Sequence, residues 1–268
     1  MLKKTRTKTI SDFNDQWKTI NKLNNDYMDS KEMLVDYFPS FFKLEEINNK
    51  IIAEVGSGNG RVLRTLLSFK PKKVFAIEPS NNGFAIISNS LGKYSNLKIM
   101  HADGAQFKTE EKCDFIFSIG VIHHIKEPID VLKNIKENLK PKGKVIIWVY
   151  GYENNLLYIF IYKVLSFITK KMPNFFLYWL SSILNILIQP YIFLCNYLNL
   201  PLKNYLMKVF SKCGWSKRKD IIFDQLNPAY AKYYKKEEIE KELISAGFVN
   251  LKFYHRHGYS WTILGEKT

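Results

Sequence analysis

Cysteine is scarce in this chain: Cys113, Cys195 and Cys213 are the three among 268 residues. They are odd in number, widely spaced and form no CxxC pair, so neither a disulfide framework nor a zinc site is expected, no metal is assigned, and a reducing cytoplasm is the simplest home. Acidic residues are also few. Asp and Glu number 25 against 40 Lys and Arg, and the net charge of +15 points to anionic surroundings: nucleic acid, an acidic membrane surface or a phosphorylated substrate. The amino terminus lacks an apolar targeting core, because the basic Met1-Leu2-Lys3-Lys4-Thr5-Arg6 runs into Ser11-Asp12-Phe13-Asn14-Asp15; no secretory signal is expected. With 46% hydrophobic residues, 13 Gly and 9 Pro, disordered and collagen-like chains are excluded.

What is present is a βαβ pattern. Between Lys50 and Tyr150, short β-branched runs alternate with helical spacing, which predicts strands at Ile51–Val55, Lys73–Glu78, Leu97–Met100, Asp114–Ile119 and Lys144–Tyr150. Val131, Leu132, Ile135 and Leu139 recur at helical steps after Pro128, and Lys140-Pro141-Lys142-Gly143 is read as the stop. A helix over Lys235–Ala246 and two strands, Val249–His255 and Tyr259–Gly265, close the chain. Two terminal strands alone would be marginal, so they are expected to join the first five. The fold class is therefore α/β: a doubly wound, mostly parallel seven-stranded sheet interrupted by a hydrophobic helical insertion. Residues 1–49 read as a helical cap, 50–150 as the core, 151–220 as the insertion and 221–268 as the part that completes the sheet.

The insertion has its own composition. No charged residue occurs from Pro173 to Leu202, a run of 30, long enough to span a bilayer. A single crossing, however, would put the last two strands on the opposite side of the membrane from their sheet. Nine cations (Lys163, Lys170, Lys171, Lys203, Lys208, Lys212, Lys217, Arg218 and Lys219) stand against Glu153 alone. The segment reads as a helical lid, a buried helical pair, or an element lying in an anionic membrane surface.

The densest signal is Glu54-Val55-Gly56-Ser57-Gly58-Asn59-Gly60, which leads a strand into an amphipathic helix. Glycines allow a sharp turn and close ligand approach, and the helix amino terminus offers N–H groups to negative charge. The spacing is GxGxG, with Arg61 where a dinucleotide fingerprint would have its third glycine. Together with Phe75-Ala76-Ile77-Glu78-Pro79, His101-Ala102-Asp103-Gly104 and Ser118-Ile119-Gly120-Val121-Ile122-His123-His124, this segment resembles the class I S-adenosylmethionine-dependent methyltransferases. The resemblance implies S-adenosylmethionine as cofactor. Glu54, Gly56, Ser57, Gly58 and Gly60 would hold its methionine end, Glu78 and Pro79 the ribose, Asp103 and Gly104 the adenine, and Ser118 would stand at the junction with the acceptor.

His123 and His124 are candidate general bases, since imidazole titrates near neutrality. The resemblance also implies that segments after the fifth strand shape the acceptor pocket, making Asp224, Gln225, Tyr230, His255 and His257 candidate substrate contacts; a turn at Asn227-Pro228 and strand pairing of Tyr259 and Trp261 are the competing explanation. The expected activity is methyl transfer to oxygen of a small-molecule, saccharide or lipid-linked acceptor, in the cytoplasm and peripheral to the cytoplasmic face of a membrane. The alternatives are an RNA methyltransferase and a non-catalytic membrane-associated protein that retains the cofactor fold. Nucleic acid is the less expected partner, because the junction lacks Asn/Asp-Pro-Pro-aromatic and no separate basic RNA-binding module is evident.

Overall fold

The computed structural model describes residues 2–19, 26–38, 41–169, 172–227 and 230–268. Lys170 and Lys171 of the basic insertion, and Pro228 of the expected Asn227-Pro228 turn, lie outside the described residues. The sheet holds β1 (Ile51–Val55), β2 (Lys73–Ile77), β3 (Leu97–Met100), β4 (Cys113–Ile119), β5 (Leu139–Tyr150), β6 (Phe248–Arg256) and β7 (Ser260–Lys267). Its order is β3-β2-β1-β4-β5-β7-β6, parallel except for β7, which runs antiparallel to both neighbours. All five residues of β1 are buried, as expected for a parallel strand covered on both faces.

Alternation along β1 divides the core. Ile52 packs on one face with Val62, Leu63 and Leu66 of α3 (Arg61–Ser68) and with Ile87 and Leu91 of α4 (Asn81–Leu91). Ala53 and Val55 face the other side, against Val131, Leu132 and Ile135 of α5 (Ile129–Asn138) and Ile239 and Leu243 of α11 (Lys236–Ser245). α1 (Leu2–Thr19) is tied to α4 through Asn14, whose side-chain and backbone oxygens accept from Asn82 at 2.9 and 2.7 Å. α2 (Lys31–Tyr37) adds Met33, Leu34 and Tyr37 to the first face. Most element boundaries fall within two residues of the sequence pattern, and one differs by more. β5 begins at Leu139 rather than Lys144, because Leu139 pairs with Cys113 across a register shift, so the Lys140–Gly143 stretch belongs to the strand instead of only ending a helix.

The insertion folds as α6 (Leu156–Thr169), α7 (Asn174–Leu187), α8 (Gln189–Cys195), α9 (Lys203–Lys208) and α10 (Trp215–Leu226). Tyr162, Leu177, Phe223 and Leu226 form the small core that joins α6, α7 and α10. The basic run Lys217-Arg218-Lys219, read from sequence as part of an outer cationic rim, is turned inward. Lys217 pairs with buried Asp29 at 3.1 Å. Arg218 donates to the carbonyls of Phe210, Ser211 and Cys213, and the Lys219 ammonium sits 3.8 Å from the Tyr178 ring centre.

The carboxy-terminal strands are fastened to α2 by one charged group. Arg256 is fully buried, and its guanidinium donates to the Asp36 carboxylate at 2.5 and 2.9 Å and to the Asp36 carbonyl at 3.0 Å. Partial burial would raise the Asp36 pKa, but Arg256 and His257 more than offset it and hold the carboxyl below its usual range. This contribution to stability is present above the ordinary carboxyl value of 3.8 and is lost as pH falls below it. Asp36→Ala leaves a buried, unpaired guanidinium and is expected to cost about 3 kcal/mol in urea unfolding at neutral pH; an unchanged midpoint would show that Arg256 does not need its partner.

Candidate active site

A cavity of about 320 Å³ opens at the carboxyl ends of β1, β2, β4 and β5, where open α/β sheets bind ligands. Its floor is the loop after β1. Gly56 and Ser57 donate backbone N–H groups to the Ile77 carbonyl at 2.8 and 3.1 Å, which folds the loop back over β2. Gly58 has φ +56°, and a Cβ there would lie 2.7 Å from the Trp17 ring of α1. Trp17, Phe13 and Gln16 line the same cavity from above.

Glu78 stands one residue past β2 and is buried. Its Oε2 accepts the Gly58 N–H at 2.7 Å, and its Oε1 accepts the Ser80 N–H and hydroxyl at 2.9 and 2.5 Å. Burial raises its pKa, against the pull of these donors. Oε2 keeps one lone pair for a ligand hydroxyl. Glu54 is also buried, and its Oε2 has no hydrogen-bond partner among the described residues. Burial pushes its carboxyl up to about 8, with the Ser57 hydrogen bond and the Arg61 charge opposing and Glu78 adding to the rise. An orphaned carboxylate oxygen of this kind fits a ligand ammonium. Asp103 lines the cavity through its loop, its Oδ1 accepting the Ala105 N–H at 2.9 Å.

Of the residues singled out from sequence, Glu54, Gly56, Ser57, Gly58, Glu78, Pro79, Asp103, Gly104, His124, Asp224 and Gln225 line this cavity. Gly60 does not: it is the left-handed cap of α3, where a Cβ would press on Leu91. Ser118 is enclosed within β4, its hydroxyl without a partner among the described residues.

The two adjacent histidines separate. His123 is fully enclosed, with both ring nitrogens unpartnered among the described residues and its ring 3.8 Å from that of Tyr150 and 4.2 Å from that of His124. Burial holds it well below the usual imidazole range, so it is a neutral packing group and not a base exposed to substrate. His124 reaches the cavity. Its Nδ1 lies 2.8 Å from the Tyr230 carbonyl, which can only accept, so Nδ1 carries the proton and Nε2 the lone pair. Burial lowers its pKa.

Tyr230 thus acts on the site through its backbone. His255, on the edge strand β6, stacks on Trp261 at 4.2 Å, and His257, in the turn after β6, bonds Asp36 at 2.8 Å; neither lines the cavity.

The sequence pattern missed the aromatic wall of the cavity: Trp148 and Tyr150 at the end of β5, Tyr158 of α6, Tyr205 of α9, Tyr233 and Tyr259. Gln225 is fixed between two of these, donating to the Tyr150 hydroxyl and accepting from that of Tyr158, both at 2.8 Å. The signal for Trp148 and Tyr150 is their place at the carboxyl end of a predicted strand; Tyr158 and Tyr205 come from the insertion, whose fold has no readable register, and Tyr233 and Tyr259 from connections in the carboxy-terminal part.

Residues 53–147 match the family model described as a methyltransferase domain. The chain is 31% identical over 153 residues to the tRNA U34 carboxymethyltransferase of Campylobacter lari, covering 53% of this chain and 48% of that protein. It is 33% identical over 104 residues to the enzyme of the same name from Nautilia profundicola, covering 38% of this chain and 34% of that protein. The chain therefore spans about half or less of the length of these relatives. Among solved structures, human N-acetylserotonin methyltransferase in complex with SAM aligns with a TM-score of 0.50 and 14% identity over 84% of this chain and 49% of that one, a likeness of fold.

Residues 53–147 are thus similar to a methyltransferase domain, and the sheet has the Rossmann-like fold of the class I methyltransferases. The expectation of a small-molecule, saccharide or lipid-linked acceptor methylated on oxygen, with nucleic acid unlikely, is corrected by these relatives, which are named for transfer to tRNA. An Asn/Asp-Pro-Pro-aromatic signature belongs to enzymes acting on exocyclic base amines, so its absence at Ser118-Ile119-Gly120-Val121 says nothing of other positions on a base.

The Glu54 carboxyl sets a pH test. A bound ammonium stabilises its ionised form, so binding releases a proton below about pH 8. Affinity for S-adenosylhomocysteine, measured calorimetrically, is expected to rise towards pH 8 by up to about tenfold per unit, and Glu54→Gln should bind more weakly with a flatter profile. Equal profiles in the two proteins would remove Glu54 from the ligand's amino end.

Proposed function

We propose that this protein is an S-adenosylmethionine-dependent methyltransferase acting on RNA, with tRNA as the first acceptor to test. The cofactor supplies a sulfonium-activated methyl group when bound, so much of the catalytic demand is in-line positioning of acceptor and donor. Glu54 would hold the amino group of its methionine end, Glu78 the ribose hydroxyls and Asp103 the adenine. Support for RNA as the acceptor class comes from the curated relatives, named for transfer to U34 of tRNA, at 31–33% identity. The cavity is compatible with that class: Trp148, Tyr158 and Tyr205 line it with aromatic surface for a planar base, behind which Tyr150 is held between His123 and Tyr233. The net charge of +15 favours a polyanionic partner.

His124 is positioned as the proton acceptor. It is neutral, its tautomer is set by the Tyr230 carbonyl, and its ring lines the aromatic chamber.

The experiment is incubation of the purified protein with methyl-labelled S-adenosylmethionine and total tRNA, followed by nucleoside analysis. Label should enter ribonuclease-sensitive material. Glu78→Ala should lose both S-adenosylhomocysteine binding and transfer. His124→Asn should keep binding within about twofold while transfer falls about 10²-fold, the contribution of a general base. Cofactor binding without label in any RNA fraction would sink the acceptor assignment.

A further inference from the structure

Helices α6 and α7, which follow β5, bury several polar side chains beside Tyr162 and Leu177 and turn large apolar ones outward. In α7, Ser181 and Asn185 are 0% exposed, while Phe175 is 78% and Trp179 64% exposed. In α6, Ser166 and Thr169 are buried while Leu156, Leu157, Val164 and Phe160 (66%) face outward, and Phe193 and Leu194 do the same on α8. A helix at a water-facing surface shows the opposite pattern. The inward polar groups are committed to partners: Ser181 Oγ donates to the Leu177 carbonyl at 2.8 Å, Asn185 Nδ2 to the Trp215 carbonyl at 3.1 Å and Thr169 Oγ1 to the Leu226 carbonyl at 3.3 Å. The last two bonds tie α7 and α6 to α10, so neither helix can simply roll to hide its apolar side. An exposed apolar surface of this kind marks an interaction site.

Charge says what covers it. No acidic residue occurs from Asn154 to Lys219, so nothing in this stretch repels an anionic surface. Lys163 is exposed on the outward side of α6 between Phe160 and Val164, and Lys208 is exposed on α9, each with an alkyl stem that lets its ammonium reach headgroups from an immersed helix.

Geometry sets the depth. α6 has 14 residues and is about 21 Å long, shorter than the roughly 30 Å hydrocarbon core. Asn174–Cys195, covering α7 and α8, is long and apolar enough to cross a membrane by length and composition. Its inner side, however, lies on α10, where Tyr178 bonds the Asp220 carboxylate at 3.1 Å, and β5 and β7, on either side of the insertion, share one sheet.

We propose that the outward faces of α6, α7 and α8 dock on an anionic lipid bilayer, with the helices lying in the plane of the interface instead of crossing it. This surface needs neither the cofactor nor the acceptor, so its test is independent of the methyl-transfer reading.

The full chain is floated in a density gradient with vesicles of phosphatidylcholine alone or mixed with phosphatidylglycerol. Flotation is expected with the mixed vesicles, weaker with the neutral ones, and reduced by salt. Phe175→Ser combined with Trp179→Ser should lose at least tenfold in partitioning at an unchanged thermal midpoint, since both side chains are exposed. Lys163→Glu should weaken binding to the anionic vesicles while leaving the neutral ones unaffected, a second arm that stands if the double variant fails to fold. Failure of the native chain to float with either vesicle would overturn the proposal. So would lipid-free dimerisation by light scattering that the double variant abolishes, because a second copy would then be the occupant.

Discussion

The buried carboxylate of Glu78 holds the cofactor end of the molecule together. It joins three parts of the chain that are distant in sequence or direction: the glycine loop after β1 through the Gly58 N–H, the exit of β2, and the amino terminus of α4 through Ser80. A carboxylate this buried is costly unless donors surround it. Here the donors are the loop and the helix cap themselves, so satisfying the charge also sets the shape of the floor. Ser80 then caps α4 by accepting the Gly83 N–H at 3.2 Å, and α4 carries the Asn82 that anchors α1 over the cavity.

The insertion does two things with one set of helices. Tyr158 of α6, Tyr205 of α9 and Asp224 and Gln225 of α10 face the cavity and complete its far wall, while Phe160 of α6 and Trp179 of α7 face outward. The inward pairing of Lys217 with Asp29 ties the insertion to the segment before α2. A basic residue that looks like surface charge in the sequence thus becomes an internal link between roof and core.

The core was legible because its signals are local. A parallel strand buried on both faces is mostly apolar, as β1 is apart from Glu54 near its carboxyl end, and a sharp loop that approaches a ligand must carry glycine, as Gly56 and Gly58 do. Glu78 and Asp103 could be placed because they lie one and three residues past a strand end. His123 and His124 were equally visible as a pair and could not be told apart, since one residue of separation sends one ring into the packed interior and the other to the cavity. His255 and His257 looked similar in sequence, and only strand order puts them at the far edge of the sheet.

By itself, the sequence determined the α/β class, the motifs that define the cofactor floor and the unusual composition of the insertion, all of which depend on neighbours within a few residues. Tertiary structure decided which residues of the insertion face the cavity and which face outward, that the Lys217-Arg218-Lys219 run points inward, and that His124 alone of the two adjacent histidines reaches the site. These outcomes depend on partners such as Asp29, Tyr178 and the Tyr230 carbonyl, which lie tens to hundreds of residues away along the chain and are brought near only when the sheet closes around the insertion.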